Sequence, residues 1–286
     1  MAAATYALRM LGRAPGVNRV ATRNKLWLRC VASASDAATP VSVVFGATGG
    51  IGSELVRMLA GSGGHVVAVG RDSAKLQALT ADLGQVVTTV LCPDASAPGA
   101  AESALAAALE AHGRVDGVAN CIGSVLLKPA TSTTDAELAT ILSTNLGTSF
   151  SILRASVKAM TSSGATGGSV VLCSSAVARH GLANHEAIAA AKGAVAALTL
   201  SAAATYGAQN VRVNCVSPGL TRTPMTARIT GNAAALKAST DMHALRRIGE
   251  PGDVARAIAF LLDPRNSFIT GQNLGVDGGL GSVRPK

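Results

Sequence analysis

The chain has 286 residues, 48% of them apolar, with 25 Lys and Arg against 16 Asp and Glu, a formal charge of +9. That is core material enough for one large domain and excludes a chain disordered throughout. Two Tyr, one Trp and four Phe leave no platform for stacking bases, and the uncharged runs are rich in Gly, Ser, Thr and Ala, so neither a nucleic-acid partner nor a membrane span is expected.

The charge is concentrated at the start. Residues 1–35 carry Arg9, Arg13, Arg19, Arg23, Lys25 and Arg29 and no acid, leaving 19 basic against 16 acidic residues in the remainder. A basic, acid-free, hydroxyl-bearing leader has the composition of an organelle transit peptide, disordered and excluded from the fold. Cys30-Val31-Ala32-Ser33-Ala34 resembles the small-residue processing region of plastid precursors, which favours the plastid stroma, with the mitochondrial matrix as the alternative. The five cysteines, Cys30, Cys92, Cys121, Cys173 and Cys215, have neither disulfide-framework nor metal-ligand spacing and fit a reducing compartment.

From Val41 onward short apolar runs alternate with longer Ala-rich stretches. The pattern predicts strands at 41–45, 65–69, 86–91, 115–119, 169–173, 211–216 and 273–276. Helices are expected at 51–61, 73–83, 99–112, 135–163, 186–206 and 251–262, the last opened by Pro251 and Asp253. With no repeat and no Pro-rich linker, this is a single α/β domain over residues 41–280, a doubly wound, Rossmann-type parallel sheet of about seven strands.

The first strand runs straight into Gly46-Ala47-Thr48-Gly49-Gly50-Ile51-Gly52 and then a helix. Glycines there let the chain turn sharply and bring the free amides of a helix start against a pyrophosphate. With this turn in place the body resembles the short-chain dehydrogenase/reductase family. The family's T-G-x-x-x-G-x-G is matched at Gly46, Gly50 and Gly52, with Phe45 in place of the Thr. Further matches follow in the family's order: Asp94, Asn120-Cys121-Ile122-Gly123 for N-N-A-G, Asn145 in Thr144-Asn145-Leu146-Gly147, and Asn214 through Gly219 with Thr223 for N-x-V-x-P-G-x-x-x-T.

The resemblance implies a nicotinamide dinucleotide bordered by Gly46, Gly50, Ile51, Gly52, Asp94, Asn120 and Gly123, and by Lys192, Pro218, Gly219 and Thr223. It also implies catalytic roles for Asn145, Ser175 and Lys192. Alignment on Gly46 puts Gly70 where an acid would hold a ribose 2′-OH and Arg71 immediately after it, which favours NADP(H) over NAD(H). Asp72, one step later, is the residue that could do the acid's work instead.

The family's proton-donating Tyr belongs four residues before Lys192, and Ile188 stands there. Ser175 keeps the usual thirteen-residue interval to that position, so a shifted alignment does not explain the loss. His185, seven residues before Lys192, returns on a helix to within about 20° of the lysine's direction and is the candidate acid; the other reading is a polar loop residue. Two functions therefore stay open. One is an NADP(H)-dependent oxidoreductase acting on a small carbonyl or alcohol with a non-standard proton donor. The other is an NADP(H)-binding protein without turnover, serving as scaffold, complex subunit or redox sensor.

Arg222, Arg228, Lys237, Arg246 and Arg247 suit either an acidic or carrier-bound substrate or, more commonly, a solvated lid face. His65 and His180 have no partners at ligand spacing, so no metal is expected. The long small-residue stretches 135–163 and 186–206 predict a homodimer or homotetramer.

Overall fold

The computed structural model describes residues 39–284 except 82 and 163. The leader, and with it the targeting and Cys30 readings, lies outside the described residues. Seven parallel strands, β1 (Val41–Phe45), β2 (His65–Gly70), β3 (Val87–Leu91), β4 (Gly117–Asn120), β5 (Gly168–Cys173), β6 (Val211–Pro218) and β7 (Asn273–Val276), form one sheet in the order β3-β2-β1-β4-β5-β6-β7. Helices α1 (Gly50–Gly61), α2 (Ser73–Thr80), α3 (Ala100–His112), α4 (Asp135–Leu142), α5 (Thr148–Met160), α6 (Glu186–Tyr206), α7 (Ala227–Thr230), α8 (Ala233–Met242) and α9 (Pro251–Leu262) connect them.

A parallel sheet with helices on both faces must bury both, which is why its inner strands are nearly continuous buried runs, while the edge strand β3 alternates. β6 is buried at all eight positions. On one face Leu105 of α3, Ile152 of α5 and Val195 of α6 pack on Phe45 and Leu172. On the other, Leu55 of α1, Leu76 of α2 and Ile258 of α9 pack on Val44, Val171 and Val216. α6 is long and apolar enough to cross a membrane by composition alone. Here it is a core helix, with Ala191, Val195 and Thr199 buried along one face.

The chain winds outward from β1 in two directions, to β2 and β3 on one side and to β4 through β7 on the other. Such a reversal opens a crevice at the carboxyl ends of the strands beside β1, the place where doubly wound sheets take ligands.

One expectation needs correcting. The stretch 135–163 is not one helix. It breaks into α4 and α5 around a π-helical turn, Ser143–Gly147, because the Asn145 side chain bonds sideways to Ser124. The basic stretch after β6 holds two helices, α7 and α8, neither of which buries a residue.

Candidate active site

A cleft of about 870 Å³ occupies the crevice. At its centre the turn after β1 folds back on itself. Gly46 has φ +74°, and a Cβ at Gly52 would run into the Gly46 carbonyl, so only glycine allows helix α1 to start this close to the strand end. The N-cap, Gly49, offers no side chain to the first amides and the first turn carries no acid. The free N–H groups and the positive end of α1 are left for an anion.

Over β2 and β3 the cleft is charged. Arg71, Asp72, Lys75 and Asp94 line it. A Cβ at Gly70 would lie 3.1–3.2 Å from the Leu76 and Thr48 side chains, so the position of the family's acid is tightly packed. Asp72 caps α2, accepting from the Lys75 amide at 3.1 Å and pairing with the Lys75 ammonium at 3.6 Å. The bond from that amide holds its carboxyl below the usual range. Asp94 is oriented by Ser96, whose hydroxyl and amide donate at 2.6 and 2.8 Å and lower its pKa.

Over β4 to β6 lie the residues for which the resemblance implies catalytic roles. Lys192, on α6, is 6% exposed and donates from Nζ to the Cys173 carbonyl at 2.8 Å. Burial pushes its pKa below the ordinary lysine range, with nearby thiols opposing the shift. A Cβ at Gly123 would sit 3.3 Å from Nζ, so the loop after β4 passes directly over the lysine head. Ser174 fixes the helix by donating to the Lys192 carbonyl at 2.8 Å, and Ser175 lines the cleft beside it. Burial pushes the thiols of Cys121 and Cys173 upward and that of Cys215 to about 11, so all three stay protonated at neutral pH. They act as small hydrophobes.

Ile188 faces the cleft one turn before Lys192, packed with Ile141, Ala187, Ala191, Leu126 and Val177. His185 is the N-cap of α6 and lines the same cleft. Its Nδ1 donates to the Ala183 carbonyl at 2.7 Å, since a carbonyl can only accept, and this leaves Nε2 for another partner. The turn before it is fixed: Asn184 takes a left-handed φ of 63°, and its carbonyl accepts from the Lys128 amide at 2.8 Å.

Asn120 and Asn145 are held inside the fold by their own partners. Asn120 is 1% exposed and walled off from the cleft, with Nδ2 donating to Ser149 at 3.0 Å and Oδ1 accepting the Ile122 amide at 3.0 Å. Asn145 is fully buried, donating from Nδ2 to Ser124 and to the Ile141 carbonyl at 2.9 and 3.0 Å. Both side chains bond to the loop that carries Gly123 and so fix its path over Lys192. Gly46, Gly50, Ile51, Gly52, Arg71, Asp94, Gly123, Lys192, Pro218, Gly219 and Thr223 all line the cleft.

The residue sequence reasoning missed is His243. It is 1% exposed, its Nδ1 donates to the Ser239 carbonyl at 2.6 Å, and its buried Nε2 has no partner. A Cβ at Gly219 would come within 2.6 Å of that nitrogen. No local pattern marks it, because its surroundings come from β6 and from the turn after β7. Among the described residues no group of three His, Cys, Asp or Glu could hold a metal ion.

The family profile described as "Enoyl-(Acyl carrier protein) reductase" matches residues 46–281. The chain belongs to the short-chain dehydrogenase/reductase family. Galactitol 2-dehydrogenase (L-tagatose-forming) of Cereibacter sphaeroides is 34% identical over 242 residues, covering 83% of this chain and 93% of the relative. A short-chain type dehydrogenase/reductase from Mycobacterium ulcerans is 32% identical with a TM-score of 0.79, over 86% of this chain and 91% of that one. The 3-ketoacyl-(acyl-carrier-protein) reductase of Brucella melitensis, solved with NADH, is 27% identical with a TM-score of 0.78, over 85% and 98%. Its relatives in the family are oxidoreductases on C=O and CH–OH groups, and the glycine cradle fits the nicotinamide dinucleotide they use.

Proposed function

We propose that this protein is an NADP(H)-dependent oxidoreductase acting on a small carbonyl or alcohol, atypical in that Ile188 replaces the family's Tyr and His185 supplies the proton. The observation that carries the reading is the retained floor of the site: Ser175 and buried Lys192 border one cleft with His185, whose ring is oriented by Ala183 and a fixed turn. When bound, the dinucleotide supplies or accepts a hydride. The amides at Gly50 to Gly52 would hold its pyrophosphate, Asp94 its adenine side, Pro218 to Thr223 its nicotinamide side, and Lys192 its ribose. Ser175 polarises the substrate oxygen, and His185 gives it a proton from Nε2 in reduction. NADPH titration by fluorescence, followed by turnover on a broad carbonyl panel, tests the reading. Binding without turnover on every substrate would favour a scaffold or redox-sensor role, the reading that the apolar packing of Ile188 supports.

The preference for NADP(H) rests on Arg71, on the crowded Gly70 and on Asp72 being engaged by Lys75. A charge-assisted pair contributes roughly 1.5–3 kcal/mol, so Arg71→Ala should weaken NADP(H) by about tenfold or more and hardly change NAD(H). Equal losses for both cofactors would count against it.

The homodimer or homotetramer reading now has exposed Leu138, Phe150 and Leu200 on α4, α5 and α6 behind it. Light scattering at micromolar concentration should give a multiple of the monomer mass; a monomer would overturn it. Residues 1–35 act as the plastid address in this reading, and import of a reporter fused to them into isolated plastids is the measurement that decides.

A further inference from the structure

The substrate end of the cleft differs in kind from its cofactor end. Every charged side chain lining the cleft apart from Lys192, namely Arg71, Asp72, Lys75 and Asp94, lies over β2 and β3. Beyond Ser175 the walls are Val177, Leu182 and Ile188, with Val125 and Leu127 from the loop after β4. The lid adds Met225, Ile229 and Met242, and Leu280 closes the far side. Val125, Leu127, Met225 and Met242 are 39–49% exposed, a rim of large apolar side chains around the mouth. Water is a poor neighbour for such a rim, and the two unbranched Met side chains can adapt to varied apolar shapes.

The five basic residues after β6 do not offset this. None lines the cleft. Arg222 pairs with Glu250 at 3.3 Å, Lys237 with Asp241 at 2.5 Å and Arg247 with Asp253 at 2.6 Å, while Arg246 donates to the Asp241 carbonyl at 2.9 Å. An acidic group entering the substrate end would meet Lys192 on the floor and His185 at the entrance of α6, and none of the five basic residues after β6. Ser124, Ser239 and His243 also line the cleft, but a polyol carries more hydroxyls than they can pair, and each one left unpaired against the apolar side chains is costly.

We infer that the substrate is an uncharged, predominantly apolar carbonyl compound or the matching alcohol, held by Val, Leu, Ile and Met side chains, and neither a polyol nor an acid. This rests on the proposed oxidoreductase reading and adds the substrate class to it.

The test uses the whole chain loaded with NADPH. The probes are straight-chain 2-alkanones of four to nine carbons, methyl 4-oxononanoate with its free acid, and tagatose. Both the dissociation constant, by calorimetry, and NADPH oxidation are read. Each added methylene should tighten binding about three- to fourfold until the chamber is filled, and the ester should bind at least tenfold tighter than its acid. Met242→Glu, on the exposed lid, should weaken the longer ketones about tenfold and leave NADPH affinity unchanged. A flat chain-length series, or tagatose or the free acid binding as well as the ester, would overturn the inference. A graded binding series with no NADPH oxidation would uphold the apolar site and sink the oxidoreductase reading instead.

Discussion

His185→Gln is expected to lower kcat for carbonyl reduction by about 10²-fold, the low end of what a positioned acid contributes, with fold and NADPH affinity unchanged. The ring lies at the helix entrance with Nδ1 committed to Ala183, so only Nε2 can deliver a proton into the cleft. Glutamine is of similar reach and polarity but has no proton to give in this range. The pH profile separates catalysis from packing. A donor must be protonated to act, so reduction by the wild type should slow in alkaline solution, and in the variant that dependence should flatten. An unchanged kcat with an unchanged profile would assign the proton to another source.

β1 and α9 were legible in the sequence because their signals are local: a β-branched run ending in glycine, and Pro251 with Asp253 at a helix start. The break between α4 and α5 was not, since the helical pattern runs through it and the cause is Ser124, 21 residues away. Nor were the partners of Asn120 and Asn145 legible, since Ser149 and Ser124 lie 29 and 21 residues away and meet them only in the fold. α7 and α8 bury nothing, and at four and ten residues in a basic stretch they were not legible as helices. The apolar substrate end was hidden for a related reason: its lining comes from the loops after β4, β5, β6 and β7, which meet only once the sheet is wound.

Ile188→Tyr is the change with the largest expected gain, about 10²-fold in carbonyl reduction. The position faces the cleft one helical turn before Lys192, and the floor that a phenol needs is in place: the ammonium anchored on Cys173, with Ser175 at the same wall. A cation one turn away favours phenolate and should lower the phenol's pKa, easing transfer of its proton to the developing alkoxide. The obstacle is space. Ile188 is 4% exposed among Leu126, Ile141, Ala191 and Val177, and overpacking such a cluster costs about 1–3 kcal/mol. Ile188→Phe is therefore the control, carrying nearly the same bulk without the hydroxyl. A gain in the Tyr variant that the Phe variant lacks, and that survives His185→Gln, would mean that the site still holds its reacting geometry and that Ile188 alone displaced the older proton path. Should the Tyr variant bind NADPH as tightly as the wild type and reduce nothing across the panel, like the Phe variant, the wall around Ile188 has diverged beyond one residue. Its apolar packing would then belong to a protein that binds the dinucleotide without using it.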